Sequence, residues 1–223
     1  MRKEKDSMGE MHIPNEAYYG AQTQRAVENF SISGITLSIP MINALGIIKR
    51  SAAIVNHSLG ILDNKRKQAI IQAADEIIAG KFNDQFPVDI FQTGSGTSSN
   101  MNCNEIIANR ASEIMGGFIG SKEPVHPNNH VNMGQSSNDV IPTAIHISAN
   151  IEIEKSLIPS LKQLADALDK KTIEFKKIVK IGRTHLQDAT PITLGQEFSG
   201  YTQMIKNGLQ RIQNAQKLLS ELA

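Results

Sequence analysis

The chain has no tryptophan, one cysteine and only 4% aromatic residues among its 223. A lone thiol, Cys103, excludes an intramolecular disulfide, and no cluster of Cys and His has the spacing of a structural zinc site, which fits a reducing compartment. An excess of either charge is also missing. Lys plus Arg number 23 against 22 for Asp plus Glu, and a net charge of +1 gives no basic footprint for nucleic acid or a membrane surface. No apolar run reaches the roughly 18 residues that span a bilayer, and Met1-Arg2-Lys3-Glu4-Lys5-Asp6 is too charged for a signal sequence. The expected location is cytoplasmic.

What is present is ordinary globular composition, 40% hydrophobic and 20% charged, in a chain long enough for one substantial core or two modest ones. The patterning is mainly helical. Ile42, Leu45, Ile48, Ala52, Val55 and Leu59 form one stripe, so the spacing predicts a helix over 41–59 that ends at Gly60. Asp63 caps the next helix, whose Ala69, Ile70, Ala73, Ala74, Ile77 and Ile78 repeat at helical spacing up to a stop at Gly80, and the two should pair. A third helix is expected from Ser98 or Ser99 to the Gly116-Gly117 break. The aperiodic stretch before Ser137 reads as a long functional loop holding a domain boundary, which divides the chain into 1–137 and 138–223. Beyond it Pro142 fits a first helical turn, and Ile147, Ile151, Ile158, Leu161, Leu168 and Phe175 trace a stripe that Pro159 should bend. After an extended stretch at Ile178–Ile181, a last helix places Leu194, Phe198, Tyr201, Ile205, Leu209, Ile212, Leu219 and Leu222 on one face.

Two long helices cannot bury such stripes against each other alone, so further helices must come from elsewhere. The chain also stops at Leu222-Ala223 without a glycine, proline or basic last turn. The expectation is an N-terminal fragment of a larger subunit, with packing by other copies as the alternative.

Three polar runs are built of hydroxyls, amides and glycines: Thr93-Gly94-Ser95-Gly96-Thr97-Ser98-Ser99-Asn100, Gln135-Ser136-Ser137-Asn138-Asp139 and Gly182-Arg183-Thr184-His185-Leu186-Gln187-Asp188. Each lies beside a helical stretch, where orphan N–H groups and the helix dipole favour an anion, a small carboxylate or a phosphate. No lysine follows Gly94-Ser95-Gly96-Thr97, so the nucleotide-binding phosphate-loop spacing is absent. His126 and His130 stand four apart, but Pro127 and two asparagines argue for a loop rather than a metal-binding helix. Arg25 reads as half of a structural ion pair and Asp188 as a cap or turn residue.

With Ser7-Met8-Gly9, Tyr19-Gly20-Ala21-Gln22-Thr23-Gln24-Arg25, Ser99-Asn100-Met101-Asn102 and His126-Pro127-Asn128, these runs resemble class II fumarate hydratase, in order and over essentially the whole chain. The resemblance covers the first half of that enzyme. It stops before the family's Gly-Ser-Ser-Ile-Met-Pro-Gly-Lys loop, which no segment here contains. It implies a mainly α fumarase/aspartase-like fold: an N-terminal helical domain, then the first part of a long-helix bundle that assembles a homotetramer. It also implies reversible hydration of fumarate to L-malate in the tricarboxylic acid cycle without metal or organic cofactor, and an inactive fragment. By the same resemblance Ser95, Gly96, Thr97, Ser136, Ser137, Asn138 and Thr184 bind substrate, and His185 acts as base through a bound water. His126, Pro127, Asn128 and Asn129 form a second, non-catalytic dicarboxylate site, although the family commonly has aspartate at the position of Asn129.

The chemistry suits these residue types. Hydration passes through a carbanion whose charge spreads into the neighbouring carboxylate, and fixed neutral donors stabilise that charge at about 3–4 kcal/mol for one such donor. An imidazole titrates near neutrality and can exchange a proton with water. Aspartase-type ammonia lyases share the fold, but tend to carry asparagine and glutamine at the positions of His126 and His185 and Gly-Gly-Ala-Gly-Thr in the first run. A catalytically silent helical module, with the runs serving as caps, is the reading from another class.

Overall fold

The computed structural model describes residues 1–222, in two compact units, Met1–Ser148 and Ala149–Glu221. The first begins with an antiparallel hairpin of β1 (Arg2–Asp6) and β2 (Gly9–Ile13), in register from Arg2 opposite Ile13 to Asp6 opposite Gly9. Four helices follow: α1 (Ala21–Asn29), α2 (Ile39–Ser58), α3 (Asn64–Ile78) and α4 (Thr97–Ile114). A five-residue π turn at Pro127–Val131 precedes α5 (Ser137–Glu152). Ile42, Leu45, Ile70, Ile77, Ile106 and Ile107 form the core between α2, α3 and α4, and Val140 and Ala144 of α5 complete it. The two units divide inside α5 rather than at its start, because its first turns belong to this core.

Helix α3 forms as its pattern requires: Asp63 accepts from the Arg66 N–H at 3.0 Å, the expected apolar face is buried apart from a half-buried Ile78, and Gly80 follows at φ 81°. The buried face of α2 differs from the expected stripe. Lys49, Ala53 and Asn56 are inside, while Val55 is 53% and Leu59 66% exposed. The apolar pattern misled because two polar side chains sit inside: Asn56 donates to the Met133 carbonyl, and Lys49 enters an amide cluster. Pro142 lies inside α5 instead of in its first turn. At the foot of α1, the buried Glu105 carboxylate of α4 accepts from the N–H groups of Gly20, Gln22 and Thr23 and from the Thr23 hydroxyl at 2.6–3.0 Å. It thereby caps a helix whose own N-cap, Gly20, has no side chain to do so.

The second unit starts at the end of α5, continues through a wide π turn at Ile153–Leu157 and enters α6 (Ile158–Glu174). Placing the wide turn immediately before Pro159 accommodates the missing proline N–H and the bulk of its ring. Strands β3 (Val179–Thr184) and β4 (Gln187–Thr193) form a second antiparallel hairpin, of which the sequence predicted only the first strand. Helix α7 (Leu194–Leu218) starts with a capping box between Thr193 and Gln196 and is about 37 Å long, stopping short of Leu222. Phe175 and Phe198 meet edge to face at 5.2 Å where α6 and α7 pack. Within this unit the expected stripes are only partly covered, and Ala165, Gly182, Gly195 and Thr202 are its buried residues.

Acid should weaken the first unit. A guanidinium hydrogen bond from Arg25 lowers the Asp6 pKa, the Arg66 N–H and guanidinium lower that of Asp63, and Arg110 lowers that of Glu76. For Asp89, desolvation opposes the shift, yet N–H groups of Phe91, Ser33 and Gly34 bring it down to about 2. The unfolded chain therefore binds these protons first, so this stabilisation is complete only above about pH 5 and is lost as pH falls through the folded values. Between about pH 4 and 2 the melting midpoint followed by circular dichroism should fall, and it should fall less in Arg110→Met.

Candidate functional site

The first polar run starts α4. Gly96 is the N-cap with φ 66°, and a Cβ there would lie 2.8 Å from Ile141 of α5, so glycine meets both a left-handed backbone and a close helix approach. Since the cap residue has no side chain, Gln92 supplies one from outside: its amide oxygen accepts from the Ser99 N–H at 2.9 Å and its nitrogen donates to the Ser99 hydroxyl at 2.6 Å. Ser95 and Thr97 share a hydroxyl hydrogen bond of 2.7 Å on the exposed side.

The second run starts α5. The Ser136 carbonyl accepts from the N–H groups of Asp139 and Val140, and its hydroxyl accepts from the Asn138 N–H at 3.3 Å. Asn100 of the first run donates to the Ser137 hydroxyl at 3.0 Å, so the structure joins these two runs directly. Beneath them lies a layer of polar side chains, of which Lys49, Asn100 and Asn104 are buried and Asn132 and Gln135 half-buried. The Lys49 ammonium donates to Asn100 Oδ1 at 2.7 Å, Gln135 Oε1 at 2.9 Å and Asn132 Oδ1 at 3.1 Å. Asn132 Oδ1 also accepts from Asn100 and Asn104, each at 3.1 Å. Desolvation lowers the Lys49 pKa to about 8 and raises that of the neighbouring Cys103 to about 12. Lys49, Asn104 and Asn132 were missed by sequence reading. The available signal was a lysine in step with Ile42 and Leu45 on one helix face.

A cleft of about 290 Å³ opens beside the first run, lined by Met41, Phe91, Gln92, Gly94, Ser99 and Ile141. Its wall combines apolar side chains with the polar groups at the start of α4.

The third run belongs to the second unit and does not stand at a helix start. It forms the tip of the β3–β4 hairpin: Thr184 pairs with Gln187, and His185 and Leu186 make the turn with φ 46° and 62°. Left-handed backbone at two successive residues is the geometry of a two-residue hairpin turn, here without the usual asparagine or glycine. His185 and Thr184 are exposed, while Asp188 meets Arg183 across the strands at 3.3 Å.

At the start of the π turn, His126 Nδ1 accepts from the N–H groups of Asn128 and Asn129 at 3.1 and 3.2 Å, and His130 Nδ1 accepts from the His126 N–H at 2.8 Å. Burial is the leading cause lowering both histidines' pKa values. Pro127 is buried, whereas Asn128 and Asn129 are exposed. Arg25 forks onto both oxygens of Asp6 at 2.8 Å, a structural pair. Among the described residues no group of three or more His, Cys, Asp or Glu is placed to hold a metal, and no helix is long and apolar enough to cross a membrane.

In this mainly helical chain, conformationally constrained polar loops gather neutral donors at two adjoining helix starts, an arrangement whose chemistry suits a small anion. A profile of the lyase family matches residues 9–223, and the chain belongs to that family. It is 59% identical to the mitochondrial fumarate hydratase of Saccharomyces cerevisiae, covering all of this chain and 46% of that protein, and 57% identical to the class II fumarate hydratase of Halobacterium salinarum, covering 47% of it. Among solved structures, a fumarate lyase:delta crystallin from Brucella melitensis is 46% identical with a TM-score of 0.96, over all of this chain and 50% of that one. A class II fumarase from Schistosoma mansoni is 43% identical with a TM-score of 0.96, over 99% of this chain and 47% of that one. The chain thus spans about half the length of the curated relatives it matches.

Proposed function

We propose that the chain is the N-terminal half of a class II fumarate hydratase, and that the complete protein adds water reversibly to fumarate to give L-malate. The observation that carries the proposal is the hydrogen-bonded meeting of the first two polar runs, Asn100 to Ser137, in a chain 57–59% identical to proteins named fumarate hydratase. Ser95, Gly96 and Thr97 with Ser136, Ser137 and Asn138 grip the substrate carboxylates from the starts of α4 and α5. As the carbanion's charge moves into one carboxylate, these donors already point at the developing oxyanion and need no reorganisation. By the family resemblance each site draws its residues from three different subunits, and in it Thr184 adds a hydroxyl while His185 takes a proton from the adding water through a bound water and returns it in the reverse direction.

A second dicarboxylate at His126, Pro127, Asn128 and Asn129 belongs to the same reading as a non-catalytic site. So do a cytoplasmic location and a homotetramer, for which the exposed Ile54, Val55 and Leu59 on α2 and the sparsely covered faces of α7 give packing surface. The sequence lacks the Gly-Ser-Ser-Ile-Met-Pro-Gly-Lys loop, with the family's catalytic serine and a lysine. The chain alone should therefore leave fumarate absorbance unchanged, while the complete protein consumes it. Turnover by the chain alone would overturn the dependence on that loop. Aspartate deamination by the complete protein, with no malate formed, would replace this reaction with ammonia elimination.

A further inference from the structure

Lys49 occupies a core position on α2, in line with Ile42, Leu45 and Ala53, and is fully buried. Its hydrogen-bond partners are three neutral amide oxygens, those of Asn100, Asn132 and Gln135, and none is a carboxylate. Burying an ammonium without a counter-charge is costly, and an apolar side chain of similar length would pack at such a position without that cost. At neutral pH the group nevertheless stays mainly protonated, since desolvation lowers its pKa only to about 8.

The ammonium is wired to the first two polar runs. Lys49 Nζ donates to Asn100 Oδ1 at 2.7 Å, and the same amide donates through Nδ2 to the Ser137 hydroxyl at 3.0 Å. Each bond of such a chain polarises the next, so charge on Lys49 strengthens the Asn100 donor and, through it, the Ser137 hydroxyl proton left free to face an anion. A second arm holds Gln135 Oε1 at 2.9 Å, while Gln135 Nε2 donates to the Val131 carbonyl at 2.8 Å, fixing the backbone just before Ser136.

We propose that Lys49 is a positioning residue of the dicarboxylate site: a buried cation whose counter-charge is the bound substrate, acting through Asn100 and Ser137. This rests on the reading of the two polar runs as an anion site. It adds to that reading a cationic source of the field, set behind the donors.

The test uses the complete enzyme and two neutral variants, Lys49→Met and Lys49→Gln. Succinate, a dicarboxylate that cannot be hydrated, is titrated calorimetrically, and fumarate turnover is followed separately. A charge role predicts that both folded variants lose at least about tenfold in succinate affinity and in kcat/KM. Lys49→Gln, which still donates a hydrogen bond to Asn100, should not rescue. A purely structural lysine predicts a shifted melting midpoint with succinate affinity unchanged in Lys49→Gln, and that result overturns the proposal, as does failure of both variants to fold. Wild-type enzyme that binds succinate but leaves fumarate untouched would sink the assigned reaction while the affinities still judge Lys49. Wild-type enzyme that binds no dicarboxylate would sink both.

Discussion

Glu105→Ala is expected to destabilise the first unit by about 3–5 kcal/mol, because it strips the acceptor from four donors at once. The N–H groups of Gly20, Gln22 and Thr23 and the Thr23 hydroxyl all point at this carboxylate. Truncation leaves them beside a cavity too confined for ready rehydration, and it removes negative charge from the positive end of α1. Glu105→Gln should cost less, about 1–2 kcal/mol, since one amide oxygen can keep the contacts now made by Oε2 while Gln22 loses its partner. Denaturant unfolding monitored by circular dichroism orders the three proteins. A loss below about 1 kcal/mol in the alanine variant would mean that α1 holds its place by apolar packing and that the cap is dispensable.

The second large effect concerns His185. Asparagine is among the few residues other than glycine that enter the left-handed region readily, so His185→Asn should preserve a turn with φ 46° while removing the imidazole. In the complete enzyme kcat should fall by about 10²–10⁴, the range for loss of a positioned acid–base group, with KM little changed because the carboxylate donors are elsewhere. A kcat within about tenfold of wild type would transfer the proton-handling role to another group.

The fold was legible where local chemistry and tertiary burial agree. Helix α3 carries its cap at Asp63, its stop at Gly80 and an uninterrupted apolar face, and it forms with those features in place. The face of α2 was not legible, because Lys49 and Asn56 are buried for the sake of groups far along the chain at Asn100 and Met133. Both hairpins escaped as well. The strands Arg2–Asp6 and Gly9–Ile13 are rich in charge, and His185-Leu186 turns the chain without the asparagine or glycine that marks such a turn. In the site, the hydroxyls and amides that reach the surface were readable as three polar runs. The layer beneath the first two was not, since a lysine and single asparagines acquire meaning only from their partners. The third run looked like a helix start because Leu194 begins an apolar period just beyond it, but β4 intervenes.

The core cluster of the first unit runs to Ala144, whereas only four of the described residues of the second are buried. For a chain leaving the ribosome this sets an order. Residues up to α5 have what they need to fold while synthesis continues, and the later helices emerge with uncovered apolar faces. That interval, more than the mature protein, is where a chaperone would be needed, and where crowding at a polysome would favour association between nascent neighbours.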